Sequence, residues 1–222
     1  MKSAIRIMIA LGLAFGLSAC GGGVASRSGT TPGGITVATK NPVVMASKYD
    51  VQGIRVSVPR DLRVSEANMF YPIADIVWRG DVLGDRYTQV QAILEEGFAK
   101  GTAAMHQGPK VMLDVELTRF HSLTEKTRYT VGGVHSVHFI LTVRDAATGA
   151  VIEKPRKVWA DAKGAGGTRA IAEEAAGRTM RVVIEERLAE VIRQELSIPI
   201  PESTAPMSRN STLATGTVAA LY

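Results

Sequence analysis

The 222 residues include a single cysteine, Cys20, so no intramolecular disulfide framework is available to the chain. Aromatic residues make up only 5% of it, which leaves the core to be built mainly from aliphatic side chains. The apolar run from Ile7 to Phe15 falls short of the roughly 20 residues that a spanning helix requires. Basic and acidic residues stand at 26 against 21 and are interleaved along the chain, so no nucleic-acid footprint is present. The chain also lacks CxxC, HxxxH, GxSxG, a Walker-type loop and a glycine-rich fingerprint after a strand. These absences speak against an enzyme and against a cofactor or metal.

What is present begins at the N-terminus. Lys2 and Arg6 precede the apolar run, and Leu17-Ser18-Ala19-Cys20 follows it, the order of charged start, apolar segment and small residues that marks an export signal. Leu17 to Cys20 resembles the lipobox of bacterial lipoproteins. That resemblance implies a diacylglycerol thioether on Cys20, cleavage before it and acylation of the freed amine. Several acyl chains on one residue anchor stably where a single chain does not. Gly21 in place of an aspartate after the cysteine implies, by the sorting pattern of such lipoproteins, the inner leaflet of the outer membrane, facing the periplasm. A lone thiol at a cleavage site is a modification point and needs no partner cysteine.

Removing 1–19 leaves about 200 residues, enough for one domain, and lowers the formal charge from +5 by the two of Lys2 and Arg6, to +3. Glycine, serine and threonine dominate from Gly21 to Gly34, and Pro199, Pro201 and Pro206 interrupt a serine- and threonine-rich end. The expected organisation is a flexible tether over 20–48, one folded domain over 49–198 and a disordered tail over 199–222.

Within the domain the apolar period switches between 2 and 3.6. Strands are expected at Val51–Val58, as an edge piece at Ile73–Trp78, at Val111–Leu117, at Val137–Val143 and, after the turn Asp145–Gly149, at Val151–Asp161, where Pro155 favours an edge. Asp85 reads as the N-cap of a helix whose stripe runs Tyr87, Val90, Leu94, Gly97, Gly101 and Met105, the glycines permitting close approach to a sheet. One long helix is expected from about Thr168 to Leu196, with Ile171, Ala175, Met180, Ile184, Leu188, Val191 and Ile192 on its apolar stripe. The predicted fold class is α+β: a two-layer sandwich with a mainly antiparallel sheet of about four strands and two helices on one face.

The histidines His106, His121, His135 and His138 read as polar residues at strand ends rather than zinc ligands. His121 and His135 share the parity of the buried faces, which would bring them toward each other if the two strands pair as a hairpin. Gly164 to Gly167 reads as a flexible loop ahead of a helix. The connection from Arg119 to His135 is longer than a tight hairpin needs and carries charges, Tyr129 and a glycine pair, the make-up of a binding surface. Its candidate residues for contact with a partner or ligand are Arg119, His121, Glu125, Arg128, Tyr129 and His135.

Together with Asp75–Gly80 and Asp145–Gly149, that connection resembles an uncharacterised family of Gram-negative envelope lipoproteins, and the element order is remotely similar to lipoproteins that assist transporters or assemble outer-membrane machinery. The resemblance implies a non-enzymatic accessory subunit of an envelope transport or assembly complex, held to the membrane by its lipid. A carrier of lipid or a small apolar ligand is the alternative, and an enzyme ranks last.

Overall fold

A computed structural model describes residues 43–201. The signal segment 1–19, Cys20 and the greater part of the expected tether and tail lie outside the described residues. The chain contributes β1 (Val43–Ser47), β2 (Asp50–Ser57), β3 (Ile76–Val77), α1 (Arg86–Thr102), β4 (Lys110–His121), α2 (Glu125–Arg128), β5 (Gly133–Asp145), β6 (Val151–Trp159), β7 (Ala162–Gly164), α3 (Gly167–Ala175), α4 (Met180–Glu195) and β8 (Ser197–Pro201). The fold is mixed α+β, with four helices where two were expected. Its main sheet has six strands where about four were expected, because two short pieces extend a four-strand core.

That core runs β2-β4-β5-β6, with β3 added to the end of β4 and β7 to the start of β5. Most pairings are antiparallel, but β2 and β3 both lie parallel to β4. A parallel neighbour needs a long crossover, and the chain between β2 and β4 supplies one through α1. Asp85 caps α1 as its sequence foretells, accepting from the amides of Tyr87 and Thr88. β6, with Pro155, forms one edge.

Val111, Leu113, Val115 and Leu117 of β4 alternate with exposed or half-buried neighbours, as do Val137, Phe139, Leu141 and Val143 of β5 against His138, Ile140 and Arg144. The buried set joins Val90, Ile93, Leu94 and Phe98 of α1 and Ile184, Leu188 and Ile192 of α4 in one core. Phe98 meets Phe139 edge to face at 5.0 Å, a geometry favoured by the ring quadrupoles.

Gly97 and Gly101 do allow close approach, but to α4 rather than to the sheet. A methyl group at Gly97 would lie 2.8 Å from Leu188 Cβ, and one at Gly101 would lie 2.7 Å from the Ala189 carbonyl oxygen. The two glycines form a groove that receives the Leu188–Ile192 ridge, so the helices pack on each other as well as on the sheet.

The expected long C-terminal helix is two. Gly177 takes φ +80°, ending α3, and Thr179 then caps α4 by accepting from the Val182 amide. This break leaves Ile171 exposed, off the core that Met180 to Ile192 enters. The folded region also reaches past the expected 49–198 at both ends, because β1 pairs antiparallel with β8 from Val43↔Pro201 to Ser47↔Ser197.

Candidate functional site

Arg119 to His135 wraps one end of the sheet, and a β-bulge decides how. Leu117 lies opposite Phe139 while Arg119 lies opposite His138, so Thr118 is an extra residue in β4 and the in-out alternation reverses beyond it. Phe120 therefore enters the core, and His121, opposite Ser136, moves to the other face. His135 keeps the core-side parity of β5. The expected meeting of His121 and His135 is thereby overturned: each takes a different partner on its own side of the sheet.

His121 donates from Nε2 to the Pro72 carbonyl at 2.9 Å and stacks on Tyr71 at 4.6 Å. Burial holds its pKa below the ordinary imidazole value. Three further bonds hold the same loop: Asn68 Oδ1 accepts from the Lys126 amide, and the Met69 and Phe70 carbonyls accept from the Thr124 and Thr127 hydroxyls, at 2.8, 2.8 and 2.9 Å. The loop backbone is thus fixed while its side chains are not covered. Tyr71 is 65% exposed and Ile73 84%, with Met69 and Phe70 about half exposed, and Val131 (74%) and Val134 stand exposed nearby.

Phe70, Tyr71, His121, Leu123, Val131 and Val134 line a groove of about 320 Å³. Arg119 donates to the Tyr71 hydroxyl at 2.7 Å, and Lys126 lies 4.7 Å above the Phe70 ring. Neither cation has a carboxylate within ion-pair distance among the described residues. An apolar surface rimmed by cations results.

Glu125, Arg128 and Tyr129 face a second, charged hollow of about 300 Å³. Arg79 pairs with Glu125, Arg181 with Asp81, and Arg128 with Glu174 at 3.4 Å; the Tyr129 hydroxyl also donates to Glu174, at 3.0 Å. Burial, the largest single influence, pushes the Glu125 carboxyl up, but the Arg79 hydrogen bond, the group's own backbone amide and the Arg79 and Arg86 charges together outweigh it and hold the group below its ordinary value. The hydrogen bond to Glu174, aided by burial, raises the Tyr129 phenol. Three guanidinium groups face three carboxylates, so the hollow offers an anion no uncompensated charge.

His135 sits between these regions and is buried. Its Nδ1 is 2.9 Å from Ser122 Oγ, and its Nε2 has no partner among the described residues. Burial, helped by the nearby Arg128 charge, lowers its pKa to about 4. A serine beside a histidine invites comparison with a nucleophile and base, but no carboxylate among the described residues orients this imidazole, and a base with so low a pKa is weak near neutrality. Among the described residues no three His, Cys, Asp or Glu side chains are grouped as metal ligands.

The sequence reading missed Met69, Phe70, Tyr71 and Ile73. The signal available was Met69-Phe70-Tyr71-Pro72-Ile73 itself, an apolar run holding two consecutive aromatics in a chain poor in them. The profile of a family of unknown function (DUF6778) matches residues 49–212. The chain belongs to that family. The match takes in the whole main sheet, all four helices and the Arg119–His135 segment. No curated protein matches the chain. Among solved structures, it is similar to a DUF330 protein from Xanthomonas campestris at 13% identity and TM-score 0.38, over 71% of this chain and 88% of that one. It is also similar to a minor lipoprotein from Acinetobacter baumannii at 15% identity and TM-score 0.33, over 64% and 91%. No helix of the described residues is long and apolar enough to cross a membrane.

Proposed function

We propose that this chain is an envelope lipoprotein, anchored through Cys20 to the inner leaflet of the outer membrane, that serves as a non-enzymatic accessory subunit of a periplasmic transport or assembly complex. The observation that carries the reading is the pinned apolar loop Met69–Ile73 beside its cation-rimmed groove. Scattered exposed apolar residues are ordinary on a protein surface, whereas a contiguous group on a fixed backbone suits a protein partner.

The carrier alternative needs an apolar cavity between sheet and helices, a space where Phe98, Phe139, Leu113 and Leu188 pack together.

Two experiments test the proposal. Cys20→Ala is expected to accumulate uncleaved precursor without lipid, seen as a mass shift of the intact protein, and a normally acylated product would refute the anchor. For the partner, the tagged protein is purified from mildly solubilised membranes beside a Phe70→Ser/Tyr71→Ser double variant. A membrane-complex protein in stoichiometric amount, lost in the variant with its thermal midpoint unchanged, is the expected result. A defined lipid with no protein would instead establish the carrier.

A further inference from the structure

The groove beside Met69–Ile73 carries positive charge that its surroundings do not answer. The carboxylates at this end of the sheet are held by other cations: Asp75 by Arg63 at 3.3 Å, Glu66 by Arg86 at 2.7 Å, and Glu125 by Arg79. Arg119 and Lys126 are paired with none of them. Arg119 has a planar fork of N–H donors, of which one is engaged among the described residues, by the Tyr71 hydroxyl. The Lys126 ammonium lies above the Phe70 ring, whose face attracts the charge but leaves its N–H groups without an oxygen acceptor. Each of the two exposed aromatics therefore has beside it a cation that can still bind a carboxylate.

We propose, resting on the partner-binding role argued above, that the groove takes an acidic segment of a partner protein. Its apolar side chains seat among Phe70, Tyr71, Val131 and Val134, and its flanking carboxylates meet Arg119 and Lys126. Desolvated apolar anchors supply most of the affinity of such a contact, while rim charges select the sign of the partner and speed its arrival. Other occupants fit less well. A second copy presenting the same patch about a twofold axis would set Arg119 and Lys126 against like charges. Anionic membrane surfaces are recognised by clusters of about four to eight basic residues, and this rim offers Arg119 and Lys126 alone. A small acidic lipid needs roughly 70–90% of its surface enclosed, whereas Tyr71 and Val131 stand out into solvent. Within the chain itself, residues 20–42 include Arg27 and Lys40 but no carboxylate, and residues 202–222 set Glu202 against Arg209, so neither stretch is acidic.

The test immobilises the full acylated chain in detergent and selects binders from a random-peptide display library. Enriched peptides are expected to combine aromatic or aliphatic residues with several Asp or Glu. The strongest binder, synthesised with a fluorescent label, gives affinities by polarisation at low and at high salt. Arg119→Gln/Lys126→Gln is expected to weaken it about fivefold at low salt and to flatten its salt dependence, whereas Phe70→Ser/Tyr71→Ser abolishes binding at either salt. Lys126→Glu, at an exposed side chain, should turn the selection toward neutral or basic peptides, and it decides the matter if losing the Arg119 bond to Tyr71 loosens the loop. No enriched peptide, neutral or basic peptides enriched on the wild type, an affinity unchanged by the charge substitutions, or a defined anionic lipid held in the groove instead would each overturn the proposal. A membrane partner lost with Phe70→Ser/Tyr71→Ser but kept by Arg119→Gln/Lys126→Gln would leave the accessory role standing without its acidic partner; a partner kept by both variants would remove the accessory surface as well.

Discussion

His135 places an imidazole with one unpartnered nitrogen in the interior, and acid is where that placement shows. The unfolded chain takes up a proton near the ordinary pKa of 6.5, while the native state refuses it until about 4. Protonation therefore favours the unfolded state as pH falls through this window. The loss is complete near pH 4 and amounts to about 3 kcal/mol at about 1.4 kcal/mol per unit. His135→Gln keeps a hydrogen-bonding group for Ser122 and removes the titration. Urea midpoints at pH 7 and pH 4.5 should fall less for the variant than for the wild type, the carboxylates being common to both. Equal falls would show that burial has not lowered this pKa.

Elements were legible where local chemistry sets them. The two-residue alternation of β4 and β5, the Asp85 cap and the turn after Asp145 all appear as the sequence foretells. What failed depends on partners far along the chain. The Thr118 bulge is a mismatch in count between two strands, so neither strand alone reveals it, and it carried His121 to the unexpected face. The β1–β8 ladder joins residues more than 140 positions apart. Gly177 followed by Thr179 was a readable stop and start, hidden by an apolar stripe that happens to continue across it. The apolar loop went unread because no period marks it: its exposure comes from hydrogen bonds that hold its backbone flat against Thr124 and Thr127. Gly97 and Gly101 were read as packing glycines, but the choice of α4 over the sheet is tertiary. Gly101→Ala tests that choice. Alanine favours a helix by about 1 kcal/mol, yet here its methyl meets the Ala189 backbone, and overpacking of this kind costs about 1–3 kcal/mol. A lowered thermal midpoint is expected, and a raised one would show that the helices separate freely.

For the whole molecule, Val43 and Pro201 lie opposite each other at the outer end of one ribbon, so both polypeptide ends leave side by side. Tension applied between these two ends would then open the ribbon pair by pair instead of shearing it. The six-stranded sheet is loaded only after Ser47 and Ser197 have parted. Pulling on the two ends in a force spectrometer should show a short, low-force extension that reverses on relaxation, followed by a separate, higher-force rupture of the domain; one rupture alone would mean that ribbon and sheet yield together. The ribbon would in this sense act as a mechanical fuse, lengthening under load while the surface built on Tyr71 and Ile73 keeps its shape.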